Sequence, residues 1–145
     1  MSTTHVPALD RTVQQTQAWL GHIAREMGWD DNEKSYTALR AVLHALRDRL
    51  PPDEAVDLAV QLPMLVRGLY FEGWIPSASP ARYRNKEAFL ARVGNATPGL
   101  ESGEIERAVI AVFRELSTEL DWDEVEEARD AVPEEIRELW PEVER

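Results

Sequence analysis

The chain has 145 residues, with 27 acidic residues against 16 Lys and Arg and a formal net charge of -11. This length suits one domain with a sizeable core, and the absence of cysteine excludes disulfides, thiolate metal sites and thiol catalysis. So negative a chain is also a poor general nucleic-acid binder, because phosphate contacts need clustered Lys and Arg.

Hydrophobic periodicity predicts helices through the first half of the chain. Asp10 is the expected cap of the first helix, and Gly28 is expected to end it in the left-handed conformation. A capping box at 30–33 begins a second helix, and Pro51 with Pro52 ends it and begins a third. The apolar stripes are Leu9, Val13, Leu20, Ile23 and Met27 in the first helix and Tyr36, Leu39, Leu43, Leu46 and Leu50 in the second.

Pro63 precedes a fourth segment, residues 64–74, that is apolar on nearly every face and is therefore predicted to be buried. Residues 75–85, with two prolines and two serines, form the most linker-like stretch. Asn85 can cap the next helix, and Ser102 can cap a long one after it.

The last third continues in helices. Asp121 to Glu124 read as a capping box, a short acidic helix reaches Pro133, and a last helix ends near Trp140. No segment alternates β-branched and polar residues as a strand would. The prediction is an all-α, single-domain helical bundle of about eight helices over residues 1–145.

The sequence also repeats at an interval of 70 residues, since 18–71 align with 88–141 without a gap. Polar and proline identities support the repeat, because helical periodicity does not require them: Asp53/Asp123, Glu54/Glu124, Pro63/Pro133 and Arg67/Arg137. We predict two pseudo-two-fold-related repeats, about 10–74 and 86–141, around the linker 75–85. The segment after the shared proline is apolar in the first repeat and acidic in the second, so one copy is expected to be central and the other peripheral.

Charge is segregated along the chain. Residues 81–100 carry four basic residues against Glu87, whereas residues 101–145 carry 16 acidic and five basic residues. The acidity therefore belongs to the last third. Such acidity has three possible explanations: solvated helix faces, a surface that selects a basic partner, or adaptation to high salt.

The run from Leu39 to Trp74, LRAVLHALRDRLPPDEAVDLAVQLPMLVRGLYFEGW, resembles a bacterial family catalogued as domain of unknown function 2267. Trp19–Trp29 and the Leu-Trp-Pro at 139–141 also fit, so the resemblance covers about residues 10–141. Phe71 departs from the tyrosine expected there. The resemblance implies a small, cytoplasmic, all-helical bacterial protein, and it implies no reaction.

No pattern of catalytic residues emerges. The pairs His22 with Glu26 and His44 with Asp48 have helical spacing and can in principle converge on one ion, but such pairs are common on solvated helix faces. Metal motifs, a nucleophile elbow and phosphate-binding glycine loops are absent from the sequence. We predict no metal site, no cofactor and no enzymatic activity.

The most distinctive string is RGLYFEGW, residues 67–74. In a structural interpretation Gly73 is a cap, Gly68 allows close helix approach, and Arg67 pairs with an acid of a neighbouring helix. In a functional interpretation the string forms a partly open pocket. Its polar groups would be Arg67 and Glu72, and its aromatic walls would be Tyr70, Trp74 and Trp29.

A small basic and aromatic patch lies in the loop 76–84. Arg82 and Arg84 flank Tyr83 there and could contact an anion or the acidic third of another copy. A solvated loop before a helix explains the same residues.

The leading hypothesis is a non-enzymatic helical domain that acts through a protein partner or self-association. The alternatives are a small-molecule binding protein or enzyme using the pocket around Arg67, Tyr70, Glu72 and Trp74, and a structural protein without a ligand. No apolar run is long enough for a membrane span, and the N-terminus has no export signal. A cytoplasmic location without membrane or general nucleic-acid binding is therefore expected.

Overall fold

A computed structural model describes residues 4–142 of the chain. These residues form eight α-helices and one short 3-10 helix and contain no strand, which confirms the predicted all-α fold. The predicted domain bounds, 1 and 145, lie outside the described residues. The helices are α1 Pro7–Met27, α2 Asn32–Arg49, α3 Pro52–Val60, α4 Met64–Phe71, α5 Lys86–Asn95, α6 Ser102–Glu119, α7 Trp122–Ala131 and α8 Glu134–Arg137, with the 3-10 helix at Pro76–Ala78.

Local signals in the sequence set several helix ends. Gly28 ends α1 with φ 73°, a left-handed backbone conformation that glycine adopts readily because it has no Cβ atom. The Asp31 carboxylate caps α2 by accepting hydrogen bonds from the backbone N–H groups of Glu33 and Lys34. Asn85 caps α5 in the same manner, as predicted.

Four predicted caps were wrong. Helix α2 is capped by Asp31, one residue after the first residue of the predicted capping box 30–33. The first helix begins at Pro7, before Asp10, and has Val6 as its N-cap. Helix α6 is capped by Glu101, which forms a capping box with Glu104, one residue before the predicted Ser102. Asp121 precedes α7 but makes no side-chain cap hydrogen bond.

The buried apolar side chains form one cluster, with α2 and α6 at its centre. Helix α2 packs against α1, α4, α5 and α6, and α6 also contacts α1, α5 and α7. Three large rings pack together within this cluster. The ring centroids of Phe113 and Trp140 lie 4.5 Å apart in a stacked pair, and those of Phe89 and Phe113 lie 5.9 Å apart. No helix in residues 4–142 is long and apolar enough to cross a bilayer.

Elements and contacts recur at the 70-residue interval seen in the sequence. Helices α2 and α6 each have 18 residues and begin 70 positions apart. The Arg67 Nε and Nη2 donate to the carbonyl oxygens of Ala59 and Leu62. The same atoms of Arg137 donate to the carbonyl oxygens 70 residues later, those of Arg129 and Val132. The internal repeat stays a prediction, which these correspondences favour.

Helix α4 differs from the expectation that it is buried. Only Val66 and Tyr70 of this helix are buried, whereas Met64 and Leu65 are 53% and 47% exposed. In α8 the corresponding Ile136 is likewise buried and its first two residues are exposed. The prediction that the α4 segment is buried on nearly every face is therefore wrong, because each short helix buries one face and exposes the other. The predicted contrast between a central and a peripheral copy stays a prediction.

Candidate functional site

An open groove of about 550 Å3 lies between α1, the first turns of α2, and α4. We call it the α1–α4 groove. Its apolar lining is Leu9, Val13, Tyr36, Met64, Leu65 and Leu69, and its polar lining is Thr4, Thr12, Thr16 and Glu72. Four of the apolar side chains stay substantially open to solvent: Leu9 at 43%, Tyr36 at 47%, Met64 at 53% and Leu65 at 47%.

Threonines of α1 hold α4 in place along the groove. The Leu65 N–H, which has no partner within its own helix, donates to Thr12 Oγ1 at 2.9 Å. The Thr16 hydroxyl in turn donates to the Thr12 carbonyl oxygen at 2.8 Å. Because Pro63 offers no side-chain cap, α1 supplies the cap that fixes where α4 begins and hence where the groove lies.

Gly68 keeps the middle of the groove open. A Cβ atom built at this position meets no atom within 4 Å. The predicted close helix approach at Gly68 is therefore wrong, since no neighbouring helix comes near it. A side chain here would extend into the groove.

The second half of the chain offers a comparison for the groove positions. Seventy residues after Met64, Leu65 and Gly68 stand Glu134, Glu135 and Glu138, all exposed. Both short helices follow a proline with closely similar backbone angles, φ -55° and ψ 151° at Pro63 against φ -58° and ψ 154° at Pro133. A short helix that follows a proline with this geometry therefore accepts acidic residues at these places.

Among the residues predicted to form a pocket, only Glu72 lines the α1–α4 groove. Its carboxylate accepts a hydrogen bond from Arg40 Nε at 2.9 Å. Tyr70 is fully buried and its hydroxyl donates to the Ala55 carbonyl oxygen at 2.8 Å. Burial keeps the pKa of this phenol well above its usual range, so it stays neutral.

Arg67 is an exposed side chain that donates to backbone carbonyl oxygens at the end of α3. The acidic partner predicted for it is therefore replaced by main-chain acceptors. The signal that could have indicated this role is the helix C-terminus just before it, where cationic side chains bind exposed carbonyl groups.

The two tryptophans of the predicted pocket lie apart from each other. Trp74 stacks on Phe71 at 5.4 Å, and its Nε1 donates to Ser79 Oγ at 3.1 Å. Trp29 Nε1 donates to Glu104 Oε2 at 2.9 Å, a hydrogen bond that lowers the pKa of that carboxyl. Each ring thus ties a loop to a helix.

In the predicted basic patch, Arg82 and Arg84 are exposed. Tyr83 between them points into the fold, where its hydroxyl hydrogen-bonds the Ala45 carbonyl oxygen. Arg92 lies over the Tyr83 ring at 5.4 Å and also pairs with Asp48 at 2.7 Å. Tyr83 and Arg92 therefore anchor the loop, and Arg82 and Arg84 are its outward charges.

The histidine and acid pairs of the sequence have different partners in the fold. His22 Nδ1 lies 2.6 Å from Glu115 Oε2, while Glu26 pairs with Arg114. His44 Nε2 lies 2.8 Å from the Leu69 carbonyl oxygen, and burial lowers the pKa of this imidazole. The two predicted pairs do not converge.

Four carboxylates meet where α3 packs on α7. Oxygens of Glu54, Asp57, Glu124 and Glu127 lie within 4.8 Å of one another. Burial, followed by the negative charge of neighbouring acids, raises the pKa of Glu54 and of Glu124. The signal in the sequence is the identity of Glu54 and Glu124 at an interval of 70 residues.

A family model described as an uncharacterized conserved protein, DUF2267, matches residues 16–139. A search of curated proteins finds no match to the chain. The matched range includes α4 and the start of α2, and hence most of the groove wall.

Proposed function

The chain belongs to the DUF2267 family, and we propose that it is a binding domain that takes up an apolar helical segment of a partner protein in the α1–α4 groove. The observation that carries this proposal is the half-exposed apolar face of Met64 and Leu65 on α4. Contiguous apolar surface rimmed by polar residues is typical of interaction sites. The acidic residues at the corresponding places of α8 support a role other than folding.

The shape of the groove favours a helix as its occupant. Helices α1 and α4 form its walls and its lining is mostly apolar, as in the grooves that receive an amphipathic helix. Side chains at spacings of three and four residues on such a segment would contact Leu9, Tyr36 and Leu65.

A peptide titration tests the proposal. Synthetic amphipathic helices with one apolar face and a Lys-rich, neutral or Glu-rich polar face are added to the isotopically labelled full chain, and NMR chemical shifts are followed. We expect saturable shifts at groove residues, and loss of binding in the double variant M64E/L65E. I75E is the matched control, because Ile75 is 63% exposed and lies outside the groove.

Two outcomes would contradict the proposal. One is that no peptide of the panel binds. The other is that peptides shift residues away from the groove or bind M64E/L65E as well as the natural chain.

A small apolar molecule is a second candidate occupant, because the groove volume lies in the range of small-molecule sites. Thermal stabilisation by a compound, lost when Gly68→Leu fills the groove, would support it. The predicted pocket around Arg67, Tyr70 and Trp74 is a further alternative, for which Trp74→Phe in the same screen is the test. Non-enzymatic character stays a prediction.

Self-association is a separate proposal that rests on charge. Arg82 and Arg84 of one copy would face the acidic last third of another, and such contacts weaken as salt increases. Sedimentation at low and high salt tests this proposal. We expect association that weakens as salt increases, and a monomer at every salt concentration would contradict it. The cytoplasmic location also stays a prediction, which cell fractionation would test.

A further inference from the structure

Three potential metal ligands meet on the seam between α1 and α6, away from the α1–α4 groove. One ligand atom from each of His22, Glu115 and Glu119 lies within 4.8 Å of the others. His22 comes from α1, whereas Glu115 and Glu119 stand one turn apart on the same face of α6. Helices α1 and α6 pack directly against each other, so a rigid framework holds the three side chains.

Glu115 is a buried carboxylate in acidic surroundings. Glu115 is only 6% exposed, and this burial raises the pKa of its carboxyl. Negative charge on Glu119 and Glu26 opposes its ionisation further, while the hydrogen bond from His22 favours it. Arg114 balances Glu26. An imidazole binds a metal ion in its neutral form, so His22 and two carboxylates would together bring two negative charges to a bound divalent cation.

The repeat supplies a comparison for this buried acid. Seventy residues before Glu115, on α2, stands Ala45, which is 1% exposed. The fold thus accepts a small apolar side chain at the corresponding place. Packing alone therefore does not account for a carboxylate at position 115.

We propose that His22, Glu115 and Glu119 form a binding site for a divalent transition-metal ion, with Zn²⁺ as the reference ion. One imidazole nitrogen with two carboxylate oxygens is a donor set that suits zinc and its first-row neighbours better than calcium or magnesium. His22 and Glu119 are exposed, so an ion can enter from solvent and keep water in its remaining positions. The ion would replace the hydrogen bond between His22 and Glu115 and link α1 to α6.

Calorimetric titration of the untagged full chain with Zn²⁺ tests the proposal. All proteins carry His5→Gln, so that this remote histidine makes no contribution. We expect one ion per chain. We also expect H22Q and E119Q to weaken binding by at least about tenfold. Mutation of residues that only hydrogen-bond to metal ligands already lowers metal affinity by about 10–100-fold. E126Q is the matched control, because Glu126 is an exposed acid outside the cluster.

A spectroscopic readout separates ligation from a structural role. In NMR spectra of the imidazole nitrogens, Zn²⁺ should shift the signals of His22 and leave those of His44 in place. Circular dichroism of H22Q and E119Q checks that each variant is folded. Absence of zinc binding by the parent protein would overturn the proposal. So would equal affinity in H22Q and E119Q, or loss of binding in E124Q instead, which would place the ion in the α3–α7 carboxylate cluster.

Discussion

Glu54 and Glu124 face each other across the α3–α7 seam, with Asp57 and Glu127 beside them. Each has one buried carboxylate oxygen without a hydrogen-bond partner in the described part of the chain. Their pKa values are raised in the folded chain by burial and by neighbouring acids. The folded state therefore binds more protons than the unfolded state. Their contribution to stability is largest at pH values below the unfolded pKa and is lost as the pH rises through the folded pKa.

We accordingly expect Glu54→Gln and Glu124→Gln to stabilise the protein at pH 7. Each gain should stay below about 1 kcal/mol, because both side chains are partly solvated and water screens the repulsion. Urea unfolding measures the gain, which should shrink at pH 4, where the natural carboxyls take up protons. Glu126→Gln, outside the cluster, should change little. A loss of stability in both cluster variants at pH 7 would show that the carboxylates attract more than they repel.

Tyr70 is the largest buried polar side chain of α4. Removing its hydroxyl leaves the Ala55 carbonyl oxygen without this partner in the core. We expect Tyr70→Phe to lower the free energy of unfolding by about 1–3 kcal/mol. Tyr36→Phe is the control, because Tyr36 is half exposed on the groove and should tolerate the change. Equal stability of Y70F and the natural chain in urea unfolding would contradict this role.

At the scale of helices, Arg67 and Arg137 close the C-terminal ends of α3 and α7. Each guanidinium donates to at least two backbone carbonyl oxygens at or just after the helix end. We expect Arg67→Ala and Arg137→Ala each to lower the free energy of unfolding by about 1–2 kcal/mol. Arg82→Ala, in the exposed loop, should have little effect. A loss in only one of the two arginine variants would count against equivalent roles.

Glycine substitutions distinguish a glycine inside a helix, Gly68, from a glycine that ends one, Gly28. Gly68 lies inside α4 with open space around it, so Gly68→Ala should stabilise the helix by about 0.5–1 kcal/mol. Gly28 has φ 73°, so Gly28→Ala should be destabilising. Thermal unfolding of both variants checks the pair. A destabilised G68A would indicate a close contact at the groove floor that is absent from the structure.

Over the whole molecule, the sequence allowed the helices and several caps to be predicted because their signals are local. Asn85 and Gly28 act where they stand in the chain. Periodicity also indicates which face of a helix is apolar, and most of the α1 and α2 stripes are buried. It does not indicate whether a neighbour covers the whole face. Leu9 and Tyr36 belong to the apolar stripes of α1 and α2, but no neighbouring helix covers them fully. They therefore line the α1–α4 groove.

For a similar reason, the sequence alone does not indicate that His22, Glu115 and Glu119 lie together. His22 and Glu115 are 93 residues apart, and only the packing of α1 on α6 brings them together. Helical spacing instead favoured Glu26 as the partner of His22, although that carboxylate pairs with Arg114. The apolar composition of α4 likewise predicts burial, whereas the fold turns Met64 and Leu65 toward solvent.

We have proposed that the apolar face of α4 serves a partner and not the core. The free energy of unfolding of M64E/L65E in urea is the decisive measurement. We expect it to change by less than about 1 kcal/mol. The lost partial burial is offset by two acidic side chains in the first turn of a helix, where the dipole favours them. Val66→Ala, at a fully buried position of the same helix, should lose about 2 kcal/mol. A loss in M64E/L65E as large as that of Val66→Ala would show that Met64 and Leu65 belong to the core.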